Sequence, residues 1–517
     1  MLRKNLTAII FLFLFSVLAM YPISVFASDS DTIDADKPGR IEIKLKGFSQ
    51  KDLSVTHHQI KLGNEIIRFK ATAGYMPVQD DKEKTIAKIF FIAYEKEDVA
   101  DKSQRPVTFA FNGGPGSSSV WLHFGALGPK RAKLTDKGEL PPPPYKFVDN
   151  EYTWLEFTDL VFIDPVDTGY SRAADKKDLR KFMGVREDIE SVGDFIRLYI
   201  TINKRWGSPK YVAGESYGAI RAAGLSAYLQ NNLGMHLNGV IMISQALNYQ
   251  AFCETDSNDL PYILYLPSYT TSAWYHKKLP AKYQSDLKAT LKEVESWAVN
   301  QYMPALIKGS SITPQERDEM VEKLASYTGL SKEFIINSNY RVKPYRFRKE
   351  LLKNDRRSLG YYDGRLLGVD QVPEDMPWPM NDPTFFLGGP FSAAVNDYIR
   401  EGLNYVNDLP YNVFSENTGD WNYKSAVEAG FGFLDQSQNL ANSMNRNKYL
   451  KLFVACGYYD LCTPYFSSIY SVNRLELDPS RRKNIRFGFY DGGHMFYTNI
   501  NALKKFRQDI GEFYKQK

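Results

Sequence analysis

The sequence predicts an α/β protein: a mostly parallel central sheet with helices on both faces, interrupted by a large, mainly helical insertion. Three observations predict it. Short apolar runs alternate with helical periodicity up to about residue 245 and again from about residue 450, the rhythm of strands covered by helices on both faces. From about Cys253 to Asn422 that rhythm is lost to helical segments and aromatic-rich loops. The composition, 43% hydrophobic and 24% charged over 517 residues, supplies a large core and excludes a disordered chain.

The elements follow in order. Residues 1–27 read as an export signal: Arg3 and Lys4 give a basic start, Leu6 to Phe26 carry no charge, and Val25-Phe26-Ala27 offers small residues at a cleavage site. The rival reading is one anchoring helix, since the apolar run is long enough to span a bilayer. Pro22 and the polar Ser28-Asp29-Ser30-Asp31 favour cleavage. A loose acidic tail precedes β-type segments from Ile41 to about Glu97, including the alternating run Lys84 to Tyr94. Val107–Phe111, Leu160–Ile163, Tyr211–Ala213 and Val240–Ile243 are predicted as strands. Residues 183–205 have apolar positions at helical spacing, and Arg221 to Leu233 form a second helix. In the middle, Trp378-Pro379 and Gly388-Gly389-Pro390 are expected as loops. Then come a strand at Leu450–Ala455, a helix from about Pro464, a strand at Ile485–Tyr490 and a last helix from Asn501. The expected division is a signal at 1–27, a core at 28–250, a cap at 251–425 and the rest of the core at 426–517.

Charge and cysteine content narrow the class. The formal net charge is +5, and loss of residues 1–27 removes only Arg3 and Lys4, leaving about +3. The densest basic patch, Arg481-Arg482-Lys483, reads as a solvated turn, so nucleic acid is not an expected partner. After signal cleavage no stable membrane association is expected. Cys253, Cys456 and Cys462 make an odd number. Cys456 and Cys462 are candidates for a bridge in an exported protein, a question that only geometry answers.

The chemistry centres on Gly214-Glu215-Ser216-Tyr217-Gly218, which follows a short apolar strand and opens a helix. Small flanking residues there permit a sharp turn that presents the serine oxygen at the sheet edge. The plainer alternative is a helix-capping serine. A serine nucleophile needs a base, usually a histidine oriented by a carboxylate. Of six histidines, His57, His58, His123, His236 and His276 come early; only His494 lies late, in the glycine-rich Asp491-Gly492-Gly493-His494-Met495 after a predicted strand. Asp460 follows the Leu450–Ala455 strand and lies between serine and histidine in the chain. The order Ser216, Asp460, His494 is that of α/β-hydrolases. Asp164 also ends a strand but precedes the serine, and reads as a structural turn former. The developing oxyanion needs donors: the Tyr217 N–H, and one from the glycine loop 112–116. Gly113-Gly114-Pro115-Gly116 matches no phosphate-loop spacing, and Pro115 lacks an N–H. This chemistry calls for no metal and no cofactor.

Taken together, Asn112 to Ser119, Phe162 to Ser171, Gly214 to Gly218 and Gly493-His494-Met495, with Asn150 to Trp154 and Leu127-Gly128-Pro129, resemble the serine carboxypeptidase family in a bacterial-type form. The resemblance implies peptide substrates cut at the carboxyl terminus. It also implies that Asn112, Gly113 and Glu215 bind the terminal carboxylate, and that Gly114 and Tyr217 supply the oxyanion N–H groups. Glu215 must be protonated to donate to an anion, and a like charge nearby favours that form. There are departures. The family's second glutamate, paired to the first, falls at Ala126, and its cysteine after the glycine loop is Ser117. Arg221, five residues past Ser216, is either a cation for the carboxylate site or a buried helix residue with a structural partner. Esterase or acyl-transfer chemistry on the same residues is the nearest alternative, and a secreted binding protein without catalysis the more distant one. Oligomeric state and side-chain preference stay open.

Overall fold

A computed structural model describes residues 48–372, 382–427 and 432–516. The expected signal at 1–27 and the Trp378-Pro379 loop lie outside the described residues.

Nine strands form the main path of one sheet: β1 (Ser54–Leu62), β2 (Glu65–Gln79), β3 (Thr85–Lys96), β4 (Val107–Phe111), β5 (Asp159–Ile163), β6 (Lys210–Glu215), β7 (Gly239–Ile243), β8 (Lys451–Gly457) and β9 (Ile485–Tyr490). Their spatial order is β1-β2-β3-β5-β4-β6-β7-β8-β9, and the two-residue strand Arg172–Ala173 pairs with β3 beside this path. β1, β2, β3 and β5 pair antiparallel in sequence; every pairing from β5 through β9 is parallel. β4, β5, β6 and β7 are buried at every residue, which is why their sequences read as continuous apolar runs.

Side chains alternate between two cores. Phe109, Phe111, Val161, Val212, Val240, Met242 and Val454 pack on one face. Ala110, Leu160, Phe162, Ala213, Ile241, Phe453 and Ala455 pack on the other, as the two-residue strand period requires. Helices α1 (Val185–Ile202) and α2 (Gly218–Leu233) contribute their apolar stripes to the first core, and α5 (Ile500–Lys515) to the second. The Asn499 side chain accepts from the Asn501 and Ala502 N–H groups and so caps α5.

The middle of the chain builds a third core, with Tyr262, Leu266, Trp297, Leu324 and Phe347 among its members. Its central rod is α3 (Leu260–Tyr275), apolar almost all round and therefore enclosed. Tyr265 Oη donates to the Cys462 carbonyl at 2.8 Å and Thr271 Oγ1 to that of Tyr458 at 2.8 Å, tying this core to the loop after β8. That loop leads into α4 (Tyr465–Asn473). Two features differ from expectation. Gly388-Gly389-Pro390 is the first turn of a helix, Gly388–Asp397, where proline loses no hydrogen bond because the first N–H groups have no helical acceptor. A small hairpin, Arg357–Leu359 with Leu367–Val369, also escapes a reading by periodicity because each arm has only three residues. Among the described residues, no helix is long and apolar enough to cross a membrane.

Candidate active site

The turn bearing Ser216 is shaped by its glycines. Ser216 sits between β6 and α2 at φ 59°, a left-handed conformation that costs a serine about 1–3 kcal/mol. A Cβ on Gly214 would stand 2.1 Å from the Gly218 carbonyl oxygen, and one on Gly218 3.0 Å from that of Phe111. Gly214 has no room for a side chain, and a Cβ on Gly218 would fit only if its neighbours gave by a few tenths of an ångström. The Ser216 N–H donates to the Ile243 carbonyl at 2.9 Å, and its own carbonyl accepts from the Ala219 and Ala246 N–H groups. The turn is thereby locked against β7 while the Ser216 side chain stays partly exposed.

The glycine loop after β4 crosses directly over this turn. A Cβ on Gly113 would fall 2.5 Å from the Tyr217 nitrogen and 2.6 Å from the Glu215 carbonyl oxygen. Among the described residues, no group accepts from the N–H of Gly114 or of Tyr217, so both remain available to an oxyanion. Arg221 holds the loop from beneath. It is fully buried, donates from Nη1 to the Asn112 carbonyl at 2.7 Å and from Nε to Asp188 Oδ2 at 2.8 Å, and lies over the Phe111 ring. Of its two readings, the structural partner is the one observed.

His494 and Asp460 come from the loops after β9 and β8. His494 Nδ1 lies 2.8 Å from Asp460 Oδ2 with both side chains buried. The Cys462 and Thr463 N–H groups donate to Asp460 Oδ1 at 2.8 and 2.9 Å, and Thr463 Oγ1 donates to Oδ2 at 2.8 Å. Burial disfavours the imidazolium, but the Asp460 charge and hydrogen bond, with Glu215 nearby, outweigh it and hold the His494 pKa above its ordinary value. The middle of the chain grips the histidine loop from outside. The Gly493 N–H donates to Asp363 Oδ2 at 3.0 Å, His494 N–H donates to the Tyr362 carbonyl, and the Tyr362 ring lies 5.1 Å from the imidazole.

Glu215 is buried, 4% exposed. Burial is the main reason its pKa rises to about 7; His494, the Tyr497 hydroxyl and the Asn112 amide pull the other way, and Asp460 adds to the rise. Tyr497 Oη donates to Glu215 Oε2 at 2.6 Å. Ala126, where the family's second glutamate was expected, is buried, and its carbonyl accepts from Asn150 Nδ2 at 2.8 Å.

One cavity of about 400 Å³ collects these groups: Asn112, Gly113, Gly114, Glu215, Ser216 and His494 line it, with Asp460 behind His494 and Tyr217 beneath the glycine loop. Trp121, Phe385, Val413, Phe414 and Met495 supply its apolar wall. The other histidines lie elsewhere. His123, for one, is buried against Phe162 with its pKa lowered to about 3 by burial. Asp164 accepts from the Ser119 N–H and hydroxyl and from Tyr411 Oη, bracing the glycine loop's continuation. Cys253, Cys456 and Cys462 are all free thiols, so the Cys456–Cys462 pair is not bridged. Sequence reading missed Thr463 and Tyr497. Thr463 lies three residues beyond Asp460, where a turn of chain brings its hydroxyl back to that carboxylate, whereas Tyr497, three residues beyond His494, reaches Glu215 from a distant part of the chain.

The parallel sheet and a serine on a strand-to-helix turn define the α/β-hydrolase class. The chain belongs to the serine carboxypeptidase family, which matches residues 62–485. It is 30% identical over 193 residues to serine carboxypeptidase-like 49 of Arabidopsis thaliana, covering 35% of this chain and 34% of that protein. It is 26% identical over 201 residues to the lysosomal protective protein of Mus musculus, covering 38% and 37%. The chain thus matches about a third of the length of these curated relatives. Among solved structures it resembles Kex1(delta)p, a prohormone-processing carboxypeptidase from Saccharomyces cerevisiae. That match has a TM-score of 0.55 at 16% identity and covers 86% of this chain and 91% of that one, a likeness of fold.

Proposed function

We propose that this protein is an exported, bacterial-type serine carboxypeptidase that releases carboxyl-terminal amino acids from peptides. The observation that carries the reading is Glu215, a buried carboxyl in the same cavity as Ser216, with its pKa raised to about 7. A carboxyl kept neutral can donate a hydrogen bond to the terminal carboxylate of a peptide. A simple esterase has no use for such a group.

In this mechanism Ser216 Oγ attacks the last peptide carbonyl while His494 takes its proton, and Asp460 holds the tautomer with the proton on Nδ1 and stabilises the imidazolium. The Gly114 and Tyr217 N–H groups receive the oxyanion. His494 returns the proton to the departing amino acid, and water resolves the acyl-enzyme by the same steps in reverse. Asn112, the Gly113 N–H and Glu215 bind the carboxylate. Because aromatic and aliphatic side chains dominate the rest of the wall, peptides with apolar residues at the scissile bond are the expected substrates. Export to a periplasm or the exterior is supported by the basic start and uncharged run of residues 1–27.

The test is hydrolysis of one peptide with a free and with an amidated carboxyl terminus, by wild type and by Ser216→Ala. Release from the free form only, abolished in Ser216→Ala, is the expected result. Indifference to the free carboxylate, with ester cleavage retained, selects the esterase reading.

A further inference from the structure

Glu215 has two carboxyl oxygens and, in the proposed function, one task. It must turn a protonated oxygen toward the substrate. Oε2 is occupied by Tyr497 Oη at 2.6 Å, in a buried contact, so Oε1 is the oxygen left for a ligand in the cavity that Glu215 lines. The Asn112 amide lies beside both groups. Its own Oδ1 is already engaged by the Leu122 N–H at 2.9 Å.

The space for this hydroxyl is built in. A Cβ on Gly125 would lie 2.5 Å from Tyr497 Cε2 and 3.0 Å from Cδ2, so only glycine lets the ring lie where it does. The ring is also packed edge-on against Phe496 at 5.8 Å between centroids, and follows His494 by three residues in the same loop. On the far side of Tyr497 and Gly125 is a separate polar recess of about 140 Å³, lined also by Arg131, Lys133 and Asp136. Tyr497 therefore forms part of the wall between that recess and Glu215.

We propose that Tyr497 is a positioning residue of the substrate-carboxylate site: its hydroxyl fixes Oε2 of Glu215 so that Oε1 carries the proton presented to the peptide terminus. This rests on the carboxypeptidase reading above. The charged and titratable groups facing Glu215 are His494, Asp460, Tyr362 and Tyr497 itself. Of these, Tyr497 is the titratable group that donates to the carboxyl directly. A donor to a carboxylate favours the ionised form, so removing it moves the Glu215 ionisation to higher pH.

The experiment compares wild type, Tyr497→Phe and Gly125→Ala, using a peptide with a free carboxyl terminus and an ester that lacks one. The ratio of peptide to ester kcat/KM is expected to fall about 5- to 30-fold in Tyr497→Phe, the worth of one buried hydrogen bond, with the loss in KM rather than kcat. The pH at which peptide KM rises should move upward. Gly125→Ala, whose methyl displaces the ring, should lower the same ratio. An unchanged ratio and an unchanged pH midpoint in Tyr497→Phe overturn the proposal, as does an equal loss on both substrates, which marks a purely structural role. If wild type itself ignores the free carboxylate, the carboxypeptidase reading fails first and this inference with it; preference in wild type that survives in Tyr497→Phe overturns the inference alone.

Discussion

His494 and Asp460 meet through a buried hydrogen bond of 2.8 Å, Nδ1 to Oδ2, and Thr463 Oγ1 closes a triangle with them at 2.8 Å from Oδ2 and 3.1 Å from Nδ1. Every oxygen of Asp460 is engaged by a donor, so the carboxylate is locked rather than free to turn. Replacing Asp460 by Asn preserves the shape but offers His494 an amide in place of an acceptor, favouring the wrong tautomer. Asp460→Asn should lower kcat by about 10⁴-fold with a melting curve close to wild type. Single-turnover kinetics and a fluorophosphonate labelling rate at Ser216 both report it.

On the proposed function, Glu215 sets the pH response to peptides. Its pKa is raised to about 7, so it is neutral below that pH and able to donate to a carboxylate. As pH rises through about 7 it ionises, loses the proton, and repels the substrate terminus. Peptide KM should therefore climb through this range. In Glu215→Gln the donor does not titrate, and KM should stay level across about pH 5–9. An ester without a free carboxylate should show no such climb with wild type. Equal pH dependence of KM in wild type and Glu215→Gln would assign the limb to another group.

The strands and the two long core helices were legible because period-2 and period-3.6 patterns survive burial; β9 starts and ends where the sequence reading placed it, and α1 within three residues. Ser216, Asp460 and His494 were legible because the chain offers one late histidine, and chain order follows fold order. Tyr497 and Thr463 were not, because a hydroxyl signals a role only through what it reaches. The hold of the middle segment on the base loop was equally hidden. It depends on Asp363 and Tyr362, far from His494 in sequence: Asp363 accepts with its carboxylate from the Gly493 N–H, and Tyr362 with a backbone carbonyl that any residue carries from the His494 N–H.

That hold yields a third prediction. A Cβ on Gly493 would lie 2.1 Å from the Tyr362 carbonyl oxygen and 2.5 Å from Asp363 Cα, backbone atoms that cannot swing aside. Gly493→Ala must move the His494 loop, the 360–365 segment, or both. Misplacing a base by about 1 Å costs about 100-fold in rate. The variant should lose about that factor in kcat on peptide and ester alike, while circular dichroism stays native.

The last prediction concerns the fully buried ion pair beneath the glycine loop. Arg221 and Asp188 are 0% and 2% exposed in their side chains. Burial pushes the Asp188 pKa up, and the Arg221 charge and hydrogen bond counter it. Removing one partner strands the other, at a cost of about 3–5 kcal/mol. At about 2 cal/mol/K of unfolding entropy per residue, Arg221→Leu should lower the melting temperature by about 3–5 °C. Replacing both partners, Arg221→Leu with Asp188→Leu, leaves no stranded charge and should recover most of that loss. It should not recover activity. Arg221 Nη1 is the donor to the Asn112 carbonyl, and without it the loop that carries Gly113 and Gly114 loses its anchor from below. Stability and kcat/KM therefore separate in the double variant, and a double-mutant cycle that reads both distinguishes a pair that stabilises the fold from one that also sets the oxyanion loop.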